Sequence, residues 1–396
     1  MSEVINNSVD VQRENHKVLS WLAAILLFLL MKPYFIWPAA EYFHWFLTLP
    51  LCLIMFAMRS GSSSNTSSAV FWGIIMLMSG FFVGKNIVGI FFLVILASLF
   101  LPGEEFLNNT YRKLWKVYWI TLIPSILVFL MVMAGIDLPH VVIPPLNGLK
   151  SYSYTAYPFL VMDNAYDDYT RFSGMYDEPG VIGTFAILFL VAEKGNLKKL
   201  GNIVILISGL LSFSLYFYIA FALYSVYLLI LGYNSKMNKI ILVLFIGAAA
   251  FYITSNVLST DYLKGRLEWD SDKQSLSGDS RAHKQLKDEI DRIRWTDEYF
   301  FGSRDERVRE SALGSASIQN LIVSYGLVVV ILFFLCYLHH FKRLSTKNRD
   351  ALMFLIFLLS VIYNRPFITD PVFIVLMNLG GYSFVSGSVK KSNYIE

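Results

Sequence analysis

Residues 171–183 read Arg171-Phe-Ser-Gly-Met-Tyr-Asp-Glu-Pro-Gly-Val-Ile-Gly183, and the chain then stays apolar to residue 192. A charged, glycine-punctuated loop therefore runs directly into an apolar helix. Pro179 suits the first helical turn, where an amide hydrogen has no intrahelical acceptor and its loss costs nothing. The loop holds one fixed cation, Arg171, and two carboxylates, Asp177 and Glu178. Gly174, Gly180 and Gly183 lack a Cβ and so let a backbone approach a ligand closely. Such a switch from polar loop to apolar helix belongs at a membrane surface, and the stretch reads as the entrance to the active site of a membrane enzyme. A plain helix start explains Asp177-Glu178-Pro179 as well, because acids favour the positive end of the helix dipole. It does not explain Arg171 or the glycine spacing.

Composition sets the class. Of the 396 residues, 56% are hydrophobic and 16% aromatic, and the mean hydropathy is +0.53, above the range of soluble domains. The chain reads as an all-α, polytopic integral membrane protein forming a single membrane domain over residues 1–396. The net charge of +4 comes from short basic clusters between apolar runs, a membrane-topology pattern and not a nucleic-acid patch. No nucleic-acid partner is expected. Cys52 and Cys336 both fall in apolar runs, so no disulfide framework or cysteine metal site is expected. The polar segment before the first apolar run and the lack of a small-residue cleavage site point to a retained anchor.

About twelve apolar runs can cross a hydrocarbon core of ~30 Å: near 18–36, 40–58, 69–84, 87–102, 114–135, 180–193, 201–214, 216–233, 238–256, 317–338, 351–364 and 371–387. The run from Gly201 to Tyr233 is too long for one straight span; it is divided at Leu211-Ser-Phe-Ser-Leu215, whose serines suit a tight turn, with one strongly tilted helix as the alternative. With the amino terminus inside, the cytoplasmic segments carry 17 of the 33 Lys and Arg residues. The short outer connections carry only Lys32, Lys85 and Arg365, so both termini are expected in the cytoplasm. Two long loops then lie outside, 136–179 and 257–316, and loops of that length in a compact protein usually serve function. The first is rich in tyrosine, which fits either an interfacial aromatic belt or sugar stacking. The second holds 13 acids and 11 bases, and its segment near 279–295 reads as an amphipathic helix with Leu286, Ile290 and Ile293 on one face.

Dispersed histidines and the absence of HExxH or Cys/His spacing give metal catalysis no sequence support. No metal and no cofactor is expected, and no nucleotide-binding loop is present. What remains is a set of arginines in the outer loops: Arg171, then Arg281, Arg292, Arg294, Arg304, Arg307 and Arg309. A guanidinium keeps its charge and grips phosphate oxygens with a planar fork, so converging arginines beside a bilayer point to a lipid-linked phosphate or pyrophosphate. Arg292 and Arg294 sit among acids and read as solvated surface pairs. Of Arg304, Arg307 and Arg309, one is expected to reach a ligand. Arg281 opens the amphipathic helix, where side chain and helix amides can face one anion. Glu178 would serve as a general base if its surroundings raised its pKa toward neutrality.

These features together resemble the O-antigen polymerases, the Wzy-type membrane proteins of bacterial surface polysaccharide synthesis, which share a superfamily with the O-antigen ligases. The resemblance rests on Arg171-Phe-Ser-Gly174 with Glu178-Pro179 and Gly183, on Ser280-Arg281 followed by a helix and Phe301-Gly302, and on Ser315-Ala-Ser-Ile-Gln-Asn-Leu-Ile-Val-Ser-Tyr-Gly326. It implies a GT-C-like fold in the bacterial inner membrane. It also implies a glycosyltransferase that works at the periplasmic face on undecaprenyl-pyrophosphate-linked oligosaccharides, partnered by the bilayer and by a chain-length-determining co-polymerase. Arg171 and Arg281 would then hold the phosphates, and Glu178 or His283 would take the proton of the attacking sugar hydroxyl. Gly174, Tyr176, Asp177, Gly183, Arg304, Arg307, Ser315 and Asn320 would line the substrate site. Two departures stand out. Many relatives carry an arginine after the serine of the turn between spans seven and eight, where this chain has Ser214-Leu215. Ligases carry a histidine where this chain has Ser315, which favours polymerase over ligase. A polysaccharide flippase is the alternative of a different class. Transporters are expected to show mid-membrane charges and broken helix pairs, whereas the spans here are almost charge-free.

Overall fold

The computed structural model describes residues 2–60, 63–85, 87–144, 153–163, 171–231, 269–270, 275–276, 284–305, 308, 318–344, 348–365, 368 and 370–378. Within them, apolar runs become helices wherever proline or glycine does not interrupt: α1 (Ser2–Leu30), α2 (Ala40–Ala57), α3 (Ser63–Phe82), α4 (Ile87–Ile95), α5 (Glu104–Met133), α6 (Pro179–Ala192), α7 (Leu200–Leu211) and α8 (Leu215–Leu231). The charged second loop forms α9 (Lys284–Ile293) and α10 (Asp297–Phe301). Then come α11 (Ile318–Tyr325), α12 (Leu327–Leu344), α13 (Asn348–Asn364) and α14, residues 371–378. The long run from Gly201 breaks where the two serines stand, with Ser212 and Phe213 forming the turn between α7 and α8. The ninth run, 238–256, lies outside the described residues.

The chain is mostly helical but not wholly so. The first long loop folds into an antiparallel sheet of β1 (Val141–Ile143), β2 (Tyr154–Tyr157) and β3 (Leu160–Asp163), in the order β1-β2-β3. Tyr157 pairs with Leu160 across a two-residue turn. Tyr154 and Ala156 alternate inward with period two, and with Val161 they pack on Trp37. A second short ladder joins β4 (Trp269–Asp270) to β5 (Ser275–Leu276).

Among the described residues, the segments Asn65–Phe82 and Glu104–Met133 are long and apolar enough to cross a membrane. A third candidate is α11 with α12, if that pair, bent by 111°, counts as one broken span. Shorter apolar helical stretches, among them Pro179–Ala192, Leu200–Leu211 and Leu352–Asn364, run 10–17 residues, short of the ~20 that a straight span needs. Many large apolar side chains nonetheless lie on the surface of the described bundle. Leu53, Phe56, Leu77, Phe81, Leu127 and Leu130 point outward, while the buried polar side chains among the described residues are Ser, Thr, Asn and His340. Small polar residues between helices let backbones approach and supply hydrogen bonds where water is absent.

Contacts between distant segments fall into two sets. In one, the Tyr34 N–H donates to Met175 O (2.7 Å), Phe172 N–H to Leu211 O (3.1 Å) and Arg304 Nε to Phe82 O (3.1 Å). The Trp37 and Tyr154 rings also meet there, 5.1 Å apart. In the other, Lys113 Nζ donates to Lys17 O (2.6 Å), Asn65 Nδ2 to Pro102 O (2.7 Å) and Trp115 Nε1 to Asn202 Oδ1 (2.9 Å), and His340 Nδ1 meets Ser68 Oγ (3.1 Å). Helices α3, α5 and α7 each have their first turns in the second set and their last residues, or the segment that follows, in the first.

Candidate functional site at the mouth of α6

The segment 171–178 is pinned from three sides. Val161 N–H donates to Gly174 O (2.7 Å), Ser173 Oγ donates to Val161 O, and the Tyr154 hydroxyl donates to Asp177 O (2.8 Å). The bonds of Tyr34 and Phe172 described above tie it to the turn after α1 and to the end of α7. Phe172 is buried and meets Phe129 edge-on. A loop held by this many backbone bonds is a rigid platform for polar side chains at the end of an apolar bundle.

Each glycine of the segment faces protein. Gly174 has φ +55°, which L side chains rarely adopt, and a Cβ there would sit 3.0 Å from Ile182 Cδ1. At Gly183 a Cβ would come 2.7 Å from Ser214 Cβ, so this glycine seats α6 against the start of α8. At Gly180 it would come 3.0 Å from Arg365 Nη2. The spacing read as close approach to a ligand thus serves helix packing at Gly183 and the seating of a guanidinium at Gly180.

Glu178 occupies the position before the first turn of α6 (φ −149°, ψ 142°) and does not cap it through its side chain. Its carbonyl accepts from Val181 N–H at 3.0 Å. Its carboxylate instead meets Arg365, with Nη2 to Oε2 at 2.7 Å. Arg365 follows the last residue of α13 and is 15% exposed, against 40% for Glu178. Its amide donates to Val361 O at 2.7 Å. Next to it, Asn364 Nδ2 donates to Thr184 Oγ1 (3.2 Å), and Thr184 Oγ1 donates to Gly180 O (2.8 Å). Two consecutive residues of one helix end therefore clasp the first turn of α6. Among the described residues, Arg365 is also the one charged residue lining a narrow cavity walled by Phe333, Tyr337, Val361, Ile362 and Phe373, among other apolar side chains. Sequence reasoning placed Arg365 as the sole base of the last outer connection and assigned it no role. That solitary position was the available signal.

The remaining candidates divide. Arg171 is half-buried and begins the platform. Asp177 offers its carbonyl to Tyr154, with its side chain half-buried. Tyr176 lies in the core, its ring 5.6 Å from that of Phe185, and burial raises its phenol well above the ordinary value. Tyr154 is buried too, so neither ring presents a face for a sugar. Arg304 is exposed and spends Nε on Phe82 O. Arg292 pairs with Glu289 and Glu298, and Arg294 with Asp291. Asn320 is buried, and its amide oxygen accepts from Ser324 Oγ at 2.9 Å. Arg281, His283, Arg307, Arg309 and Ser315 lie outside the described residues. Compared with protein-family models, with curated proteins and with solved structures, the chain matches none.

Proposed function

We propose that this protein is a polymerase of lipid-linked O-antigen or capsule-type repeat units, with its site in the periplasmic rim around the mouth of α6. The observation that carries this reading is the rigid polar platform 171–178, with Arg171 and the Glu178–Arg365 pair, set at one end of an apolar helical bundle. The two sets of end contacts support an arrangement in which the chain crosses the inner membrane repeatedly, with both termini in the cytoplasm. In the reaction, the growing glycan leaves undecaprenyl pyrophosphate and joins the terminal sugar of a new lipid-linked unit. Arg171 and Arg281 hold the phosphate groups and stabilise the departing pyrophosphate, as fixed cations do best in a site of low dielectric. Loss of the gene is expected to leave core lipid bearing single repeat units. Long polymer stranded on undecaprenyl pyrophosphate would instead identify a ligase.

One observation favours a transporter: α11 and α12 form a broken helix pair, the device that lets half-helix ends face a substrate. Here the break is filled by protein, because Ser303 N–H donates to the Val323 carbonyl at 2.8 Å. If the protein were a flippase, loss of the gene would strand single units on the cytoplasmic side.

A further inference from the structure

Trp295 closes α9 in a left-handed backbone, φ +65°, and the turn is completed by Thr296 N–H donating to Ile293 O at 2.9 Å. Glycine takes such a position at least cost, because a Cβ there crowds the following carbonyl. It does so after α3, α5 and α11, at Gly84, Gly135 and Gly326. Lys32, Lys194 and Phe213 share the backbone but are half-buried, and Phe159 is 46% exposed. Trp295 is 74% exposed, so packing offsets little of its strain. Its indole rests on Tyr299 and Phe300, with ring centres 5.8 and 6.2 Å away. Tyr299 packs in turn on the apolar cluster under α9, and Phe301 meets Phe82 at 4.9 Å. A large aromatic side chain is thus held on a fixed base and presented outward, at the end of the bundle that also carries the segment 171–178.

Two occupants suit an exposed indole at such a rim, lipid headgroups and a sugar ring, and the surroundings favour the sugar. An interfacial helix lays its apolar face in the bilayer and keeps a polar face rich in Lys and Arg. Here the apolar face of α9 is already packed on Ile322 and Val323, and residues 284–301 carry five acids to four bases. Asp291, Arg294 and Asp297, which flank Trp295 in the chain, are all exposed, with Arg294 Nη2 3.5 Å from Asp291 Oδ1. A pyranose is apolar on its C–H faces and polar around its rim. Its C–H hydrogens carry the slight positive charge that the negative face of an indole attracts, and its hydroxyls donate to carboxylates and accept from a guanidinium. We propose that Trp295, backed by Tyr299 and Phe300, is a stacking site for a sugar ring of the glycan that the protein extends, with Arg294 and Asp297 as partners of the hydroxyls. The identity of that glycan rests on the polymerase reading above.

The test uses the purified full-length protein in phosphatidylcholine nanodiscs. The probe is the surface polysaccharide of the cells that make the protein, freed from lipid by mild acid, and wild type should bind it in isothermal titration. Trp295→Gly is expected to weaken binding by about tenfold, the effect of one lost stacking contact. Its melting temperature should equal or exceed that of wild type, because glycine relieves the strained backbone. Trp295→Asn, which tolerates the same backbone, should behave alike, whereas Trp295→Tyr should keep most of the affinity. In nanodiscs of phospholipid brominated in its acyl chains, the fluorescence difference between wild type and Trp295→Tyr isolates this ring from the other tryptophans, and it should not be quenched. Quenching would make Trp295 a membrane anchor and overturn the stacking site. So would unchanged affinity in Trp295→Gly, a fall in melting temperature shared by the glycine and asparagine variants, or no binding by wild type. Wild type that binds the polysaccharide but leaves lipid-linked repeat units unextended would instead remove the polymerase reading and leave the stacking site standing.

Discussion

Gly326 and Gly84 share a left-handed backbone, with φ +84° and +71°, but not the same surroundings. A Cβ at Gly84 would meet nothing within 4 Å, whereas one at Gly326 would lie 2.6 Å from Gly302 N. Gly302 is itself at φ +90°, so two glycines bring the end of α10 and the break between α11 and α12 into backbone contact. Gly84→Ala is expected to cost about 1 kcal/mol, the left-handed penalty alone. Gly326→Ala adds an overlap with backbone atoms that cannot swing away, worth about 1–3 kcal/mol more. Thermal unfolding in detergent should show the second variant melting well below the first; equal melting temperatures would mean that the contact between the two glycines is not maintained. At this scale the sequence was only partly legible. Arg171, Glu178 and the glycines announced themselves by clustering in thirteen residues, but glycine spacing alone does not say whether a ligand or a helix fills the gap. Arg365 could not be tied to Glu178, because no local pattern encodes a contact across 187 residues.

Element by element, periodicity located the helices and missed the sheet. Leu286, Ile290 and Ile293 recur at helical spacing, and in the structure all three are buried against Ile322 and Val323 of α11. Thus α9, whose other face carries Asp288, Asp291 and Arg292, is docked on the bundle. Ile290→Asp would bury an uncompensated charge there and is expected to destabilise that docking by about 3 kcal/mol or more. Asp288→Ala on the exposed face should stay within about 0.5 kcal/mol of wild type. Limited proteolysis between residues 284 and 305 reads the difference, and equal cleavage of the two variants would contradict the docking. The three-stranded sheet escaped notice because its strands are three or four residues long, too short for an alternation to stand out from a tyrosine-rich loop. Burial of Tyr154 beneath that sheet turns a residue that looked like an interfacial belt or a sugar platform into part of the core.

Across the whole molecule, the apolar runs counted from sequence coincide with helices wherever the structure describes them, yet many of those helices are shorter than a straight span. Hydropathy registers an apolar stretch but not the point at which its backbone turns, as it does at Gly326. Segregation of the end contacts adds what hydropathy does not specify, namely which connections touch. If the ends lie on opposite faces of a membrane, Asp305→Cys should react with a membrane-impermeant thiol reagent in spheroplasts, while Lys198→Cys reacts only after permeabilisation. The native Cys52 and Cys336 are buried and give little background. Labelling of both positions from outside would break the topology.

The chemistry itself is tested most directly by giving the purified protein synthetic undecaprenyl-pyrophosphate-linked repeat units and resolving the products by size. Wild-type protein should build a ladder of polymer on the lipid, with undecaprenyl pyrophosphate released at each step. Arg171→Ala, purified and folded to the same melting temperature, should yield none. Repeat units left at single length by the wild type, or an undiminished ladder from Arg171→Ala, would contradict the account.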